Sequence, residues 1–144
     1  MSDTQTQSPV PAQTENPSEP SPHKGRRGFA RLRQATRNSW SGLRFAVREE
    51  SAFRQELALA ACLVPLALLL PFGALERLML IGSVVLVLIV ELLNSSIEAA
   101  IDRISFEPHA LSKRAKDYGS AAVMLALLIC AMVWITLSWR LIER

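Results

Sequence analysis

The chain has 144 residues, half of them apolar, and a formal net charge of +3. Its length suits one domain. The apolar residues form long blocks instead of being spread along amphipathic elements, which excludes an ordinary soluble domain and indicates a protein of the bilayer.

The chain opens on residues that are rich in Pro, Ser, Thr and Gln and almost lack large apolar side chains, residues 1–23. Such a segment cannot bury enough apolar surface to offset the entropy of ordering, so we predict a disordered polar tail. It is not a signal peptide, because no apolar stretch follows a basic start. The remainder, residues 24–144, is predicted to form one membrane domain.

Basic side chains dominate residues 24–54, where the only acids are Glu49 and Glu50. A basic segment directly before a membrane span favours anionic lipid over nucleic acid as its partner. Within it, residues 28–48 carry apolar positions at steps of three and four, including Phe29, Trp40 and Val47. The pattern predicts an amphipathic helix in the membrane interface, with packing against protein as the alternative.

Three apolar runs follow, each near the roughly 20 residues that a helix needs to cross the hydrocarbon. They cover about residues 57–75, 78–101 and 121–142, and Pro71 marks a turn near the end of the first. The fold class is therefore an all-α integral membrane protein with three transmembrane helices and an interfacial helix before them. Because the N-terminal segment is the most basic, we expect a cytoplasmic N-terminus and a periplasmic C-terminus.

The second span carries residues that a bilayer disfavours. Its first half, LMLIGSVVLVLIV, is compatible with lipid, whereas its second half reads ELLNSSIEAAID. At about 100° per residue, Glu91, Ser95, Glu98 and Asp102 fall within a narrow arc, with Asn94 beside it. An ionised carboxylate at membrane depth costs several kcal/mol, so this face is expected to line a protein interior or a wet cavity. The alternative, a helix end already in the interface, is weakest for Glu91.

Carboxylate and amide oxygens facing one cavity suit Mg²⁺, and a carboxylate can accept the proton of an attacking hydroxyl. The basic residues Lys113, Arg114 and Lys116 follow the second span. They suit a polyphosphate near a metal site, and they equally suit anchoring on the cytoplasmic side. No P-loop, kinase glycine-rich loop or dinucleotide fingerprint is present, so a nucleotide would bind through an unusual arrangement.

The runs ELLNSSIEAAIDRIS and HALSKRAKDYGSAAV, with NSWSGLRFAVREESAFRQE before them, resemble the prokaryotic diacylglycerol kinases. The resemblance covers roughly residues 28–142. It implies a homotrimer in the bacterial inner membrane, with active sites built from adjacent subunits. It also implies transfer of the γ-phosphate of MgATP to diacylglycerol, giving phosphatidic acid and ADP, with Mg²⁺ as cofactor and bilayer lipids as further partners.

The resemblance also assigns roles to residues. Glu91 would be the catalytic base, and Glu50 and Glu98 would hold the metal. The residues for ATP binding or site structure would be Arg31, Asn38, Glu50, Asn94, Glu98, Glu107, His109, Lys116 and Asp117. The residues near the lipid substrate would be Arg31, Trp40, Arg54, Gln55, Glu56, Glu91 and Ser120. The chain departs from the family pattern at Asn38, where an aromatic residue is common, and at Pro108.

Three other functions fit part of the sequence. A kinase for another lipid alcohol, such as undecaprenol, would share the motif. A small cation-coupled transporter would use Glu91 and Glu98 to bind cations, but it would not explain the basic loop. A non-catalytic membrane anchor would explain the tail and the basic helix but would leave the carboxylates without a purpose.

Overall fold

The computed structural model describes residues 28–104, 107 and 109–143. Within these ranges it consists of four α-helices, α1 (Phe29–Glu49), α2 (Ser51–Leu69), α3 (Ala74–Ile104) and α4 (Ala110–Ile142). The last three are long and apolar enough to cross a membrane, which confirms the all-α class and the three spans. The predicted tail, residues 1–23, lies outside the described residues.

The chain divides into two compact units, residues 1–37 and 38–144. The described part of the first unit is the start of α1. There Gly28 has a φ of 66°, and its carbonyl accepts hydrogen bonds from the amides of Arg31 and Leu32 at 3.1 and 3.3 Å. The helix α1 occupies almost the range predicted for it, and its place in the membrane interface stays a prediction.

In the second unit, α2 starts and ends earlier than the apolar run predicts. Glu50 is extended (φ −96°, ψ 113°) and separates α1 from α2, which begins among polar residues. The helix continues through Pro65 but ends at Leu69, because Leu70 is extended (ψ 152°). A residue before a proline avoids the helical region, and Pro71 has no amide to donate, so the helix cannot reach residue 75.

The helices α3 and α4 have 31 and 33 residues. At about 1.5 Å per residue each is roughly 45 to 50 Å long, whereas the hydrocarbon core is about 30 Å thick. Part of each helix must therefore lie outside the hydrocarbon. Their polar ends, the C-terminal end of α3 and the N-terminal end of α4, adjoin the connection between them.

The helix α3 packs against both α2 and α4. Small residues are prominent at these contacts: Ala60 and Ala126 share a buried cluster with Val84, Val87 and Cys130, and Ala67 packs with Phe72, Leu80 and Leu137. Small side chains let membrane helices approach closely. Large apolar side chains such as Leu69 and Ile135 are exposed instead. Small residues at the helix contacts and large apolar residues on the outside suit a protein surrounded by lipid tails, which are as apolar as the side chains that face them.

Candidate functional site

Glu91 is the one charged side chain among the described residues that is buried, with 4% of its surface exposed. It lies in α3 directly after the apolar run that ends at Val90. A carboxylate in this position is costly for a membrane helix, and an ionisable residue within a span marks a functional site by default. Among the carboxylates of α3, Glu91 is therefore the one that the fold encloses most completely.

A pocket of about 460 Å³ lies between α2, α3 and α4. It brings together predicted site residues from all three helices, namely Gln55, Glu56, Glu91, Asn94, Glu98 and Ser120. Apolar residues complete its lining: Ala52, Leu59, Val123 and Leu127. A cavity with a few polar groups and an apolar remainder suits a ligand whose polar head continues into an apolar chain.

Hydrogen bonding in the pocket is incomplete. The Nδ2 atom of Asn94 donates to Oε1 of Glu98 at 3.2 Å, which ties two successive turns of α3 together. Two further oxygens, Asn94 Oδ1 and Glu56 Oε2, are buried and lack a hydrogen-bond partner within the described ranges. Buried polar atoms are nearly always paired, so these two acceptors are exceptions within the described ranges.

The oxygen donors of this pocket fit Mg²⁺, which prefers oxygen ligands and retains several waters and phosphate oxygens. In the part of the chain that the structure describes, no group of three or more His, Cys, Asp or Glu side chains is placed to hold a metal ion. The described residues of one chain would therefore supply only a minority of the ligands, as is usual for Mg²⁺ bound together with phosphate.

Glu50, the other predicted metal ligand, lies on a different cavity from Glu98. It is half-buried and lines a groove of about 730 Å³ between α1 and α3, together with Glu49 and Ser95. The Oγ atom of Ser95 is buried there and has no hydrogen-bond partner among the described residues. Glu50 and Glu98 thus line two different pockets of the described residues, and their shared role as metal ligands stays a prediction.

Two predicted nucleotide residues at the start of α4 are held by ion pairs. The Nζ atom of Lys116 lies 2.6 Å from Oδ1 of Asp102, which joins α4 to α3. The Nζ atom of Lys113 lies 2.6 Å from Oδ2 of Asp117, one turn along the same helix. Neither Lys116 nor Asp117 lines the pocket that contains Glu91. Both ion pairs lie near the α3–α4 connection, and the exposed Lys113–Asp117 pair should contribute little to stability.

The remaining predicted nucleotide residues are exposed. His109 is the N-cap of α4, where its Nδ1 accepts a hydrogen bond from the amide of Leu111 at 3.2 Å. Glu107 lies just before it in the connection. Arg31 and Asn38 lie on α1, and Arg31 belongs to the first unit of the chain. Their contact with a nucleotide stays a prediction.

Two residues predicted near the lipid lie around the junction of α1 and α2. The guanidinium of Arg54 donates to the carbonyls of Arg48 at 3.0 Å and Val47 at 3.5 Å, which are among the last carbonyls of α1. Trp40 is 68% exposed. It lines a mainly apolar groove of about 420 Å³ whose other residues are Leu43, Arg44, Val47, Arg48, Phe53 and Leu57. Because Arg54 donates to these last carbonyls of α1, it has a helix-capping role that its sequence context did not indicate.

A structural role for Gly119 was also not predicted from the sequence. This glycine is buried in α4, and a side chain there would overlap the amide of Asn94. The available signal was the small pair Gly119–Ser120 just before an apolar run, since small residues mark close contacts between membrane helices. The sequence alone does not indicate that the residue in contact with Gly119 is Asn94 of α3.

Comparison with known proteins indicates the family of this chain. Residues 37–138 match the family model described as prokaryotic diacylglycerol kinase. The diacylglycerol kinase of Escherichia coli (strain K12) is 50% identical over 112 residues, which cover 78% of this chain and 92% of that protein. The diacylglycerol kinase of Pseudomonas aeruginosa is 49% identical over 118 residues (82% and 96%), and that of Haemophilus influenzae is 47% identical over 107 residues (74% and 91%).

The matched region includes α2, α3, almost all of α4 and every residue of the Glu91 pocket. Both the length of the match and the level of identity exclude a chance likeness in membrane composition. The chain belongs to the prokaryotic diacylglycerol kinase family.

Proposed function

We propose that this protein transfers the γ-phosphate of MgATP to the hydroxyl of diacylglycerol, giving phosphatidic acid and ADP. Membership of the family makes the chain a lipid kinase. The observation that carries the reaction to this chain is the buried carboxylate of Glu91 on a pocket that is polar in part and apolar in part. A lipid hydroxyl diffusing laterally could enter such a pocket without leaving the bilayer.

In the proposed reaction, Glu91 is the general base. The hydroxyl oxygen of the lipid forms a bond to the γ-phosphorus, the bond from that phosphorus to the β–γ bridging oxygen breaks, and ADP leaves. The proton of the hydroxyl passes to the Glu91 carboxylate during the attack, because an alcohol is too weak an acid to ionise first. Burial keeps bulk water away from this carboxylate and so favours the lipid as acceptor.

Glu98 and Glu50 are proposed to hold Mg²⁺. When bound, Mg²⁺ neutralises charge on the β- and γ-phosphates. The hydrogen bond from Asn94 orients the Glu98 carboxylate. Glu50 lies on the neighbouring groove of the same chain, which supports a site completed by a second subunit.

The proposed substrate contacts fall into two groups. The γ-phosphate donor would be bound by the polar residues of α1 and of the α3–α4 region, Arg31, Asn38, Asn94, Glu107, His109, Lys116 and Asp117. The lipid would be bound by Arg31, Trp40, Arg54, Gln55, Glu56 and Ser120. Of the second group, Gln55, Glu56 and Ser120 share the pocket with Glu91, which gives them the firmest support.

The protein is proposed to work as a homotrimer in the bacterial inner membrane. Its N-terminus would be cytoplasmic and its C-terminus periplasmic, because the basic residues concentrate before the first span. The amphipathic start of α1 would lie in the cytoplasmic interface, and lipid would enter from the bilayer beside it.

The proposed reaction is tested by giving purified protein labelled ATP with diacylglycerol and with undecaprenol in separate assays. We expect diacylglycerol to be the better acceptor. Phosphorylation of undecaprenol alone would assign the chain to another lipid alcohol. Cation-coupled flux in vesicles, with no phosphorylation of either lipid, would identify a transporter instead.

A further inference from the structure

We propose that Gly119 is a positioning residue for Glu98, acting through the amide of Asn94. The inference rests on the proposed role of Glu98 in binding Mg²⁺. Because Gly119 has no side chain, α4 can pack directly on the Asn94 amide, which in turn donates to the Glu98 carboxylate. The residue thus belongs to the structural support of the site and does not itself touch a substrate.

The contact between Gly119 and Asn94 leaves no room for a methyl group. A Cβ atom at position 119 would overlap Oδ1 of Asn94, and it would lie 3.2 Å from Cγ and 3.7 Å from Cβ of the same residue. All three of these close atoms belong to one short side chain. Any larger residue at this position must therefore rotate the Asn94 side chain or move α4 away from α3.

Rotation of the Asn94 side chain would change its hydrogen bond to Glu98. The amide is planar, so Oδ1, which Gly119 accommodates, and Nδ2, which donates to Glu98 Oε1 at 3.2 Å, move together. Moving Oδ1 away from a methyl group at position 119 would consequently weaken or break the hydrogen bond to Glu98. Asn94 Oδ1 has no hydrogen-bond partner among the described residues, so its packing against Gly119 restrains this end of the amide without a competing hydrogen bond.

The same chain contains a matched control. Gly82 lies in α3, and a Cβ atom there would meet nothing within 4 Å. Alanine is a better helix former than glycine, so Gly82→Ala is expected to be neutral or stabilising. At position 119 the steric conflict with Asn94 should reverse that preference.

The first test is a double-mutant cycle on unfolding in mixed detergent micelles, with the parent, Gly119→Ala, Asn94→Ala, the double variant and Gly82→Ala. We expect Gly119→Ala to lower the unfolding midpoint in the parent and to lose this effect when Asn94 is already Ala. Equal effects in both backgrounds, or a Gly119→Ala variant as stable as Gly82→Ala, would overturn the proposed contact. If Gly119→Ala fails to fold, the double variant must recover folding, and its failure to do so would overturn the proposal as well.

The second test is the Mg²⁺ concentration that gives half-maximal activity. Substituting a residue that orients a metal ligand typically costs about 10- to 100-fold in affinity or activity, so we expect a shift of at least about 10-fold for Gly119→Ala and none for Gly82→Ala. Glu98→Gln is measured beside them. A shift in Glu98→Gln without one in Gly119→Ala would refute the positioning role, whereas no shift in Glu98→Gln would refute the proposed role of Glu98 itself.

Discussion

Glu91 and Glu98 lie on the same face of α3 but in different surroundings. Glu91 is buried, with 4% of its surface exposed, whereas Glu98 is half-buried and accepts a hydrogen bond from Asn94. At 1.5 Å per residue they are roughly 10 Å apart along the helix axis. This separation suits two tasks, with Glu91 near the lipid hydroxyl and Glu98 nearer the aqueous end of the pocket, where a charged nucleotide would enter.

The task of Glu98 can be tested by Glu98→Gln. We expect an increase on the order of 10-fold or more in the Mg²⁺ needed for half-maximal activity, because loss of a ligand should cost at least as much as loss of a residue that orients one. The fold should remain intact, since a neutral amide costs less to bury than a carboxylate and can still accept the hydrogen bond from Asn94. Activity is measured across a Mg²⁺ titration, with helicity by circular dichroism as the control. Unchanged turnover at low Mg²⁺ would exclude Glu98 as a ligand.

At the scale of elements, Arg54 connects the end of α1 with the start of α2. Arg54→Ala removes two hydrogen bonds to α1 carbonyls and is expected to cost about 1 kcal/mol and to loosen the last turn of α1. Hydrogen exchange of the α1 amides measures the loosening. The control is Arg44→Ala, which removes an arginine of α1 itself. A rise in the KM for lipid with no change in exchange would show that Arg54 contacts the substrate and does not act as a cap.

The elements themselves were largely predictable from the sequence. Long apolar runs identified α2, α3 and α4, and steps of three and four residues identified α1, because a membrane helix leaves a strong compositional signal. The early end of α2 was less accessible. The sequence predicts a turn at Pro71, but it does not show that Leu70 before it is already extended.

The site was predictable only in part. The spacing of Glu91 and Glu98 put both on one face of α3, and family resemblance added Gln55, Glu56 and Ser120, which the fold brings into the same pocket. Other features depend on how helices pack, which spacing along one helix does not encode. The overlap that any side chain at Gly119 would have with Asn94 is such a feature.

At the scale of the whole molecule, the described residues of one chain leave cavities open, among them the Glu91 pocket and the Glu50 groove. Many large apolar side chains of α2, α3 and α4 are also exposed, including Leu69, Leu78 and Ile135. Lipid tails can cover the apolar faces, but they cannot pair polar side chains that line the open cavities, such as Glu50 and Glu98. Neighbouring chains are therefore expected to complete the polar site.

We accordingly expect purified protein to be a trimer in mild detergent, because three copies can enclose the polar faces that a single three-span chain leaves open. Native mass spectrometry of the protein–detergent complex, combined with activity of the same fractions, tests this. A monomer with full specific activity would contradict the proposed assembly.

The central claim, that Glu91 is the base in phosphoryl transfer to a lipid hydroxyl, is tested most directly by Glu91→Gln. One preparation of each protein is titrated with MgATP and then assayed for transfer of labelled γ-phosphate into diacylglycerol. Glutamine keeps the shape of the side chain and removes its basicity, so we predict near-normal nucleotide binding and a fall in transfer of at least about 10²-fold, the lower end for loss of a general base. A Glu91→Gln variant that binds MgATP and phosphorylates diacylglycerol at the parent rate would contradict the claim.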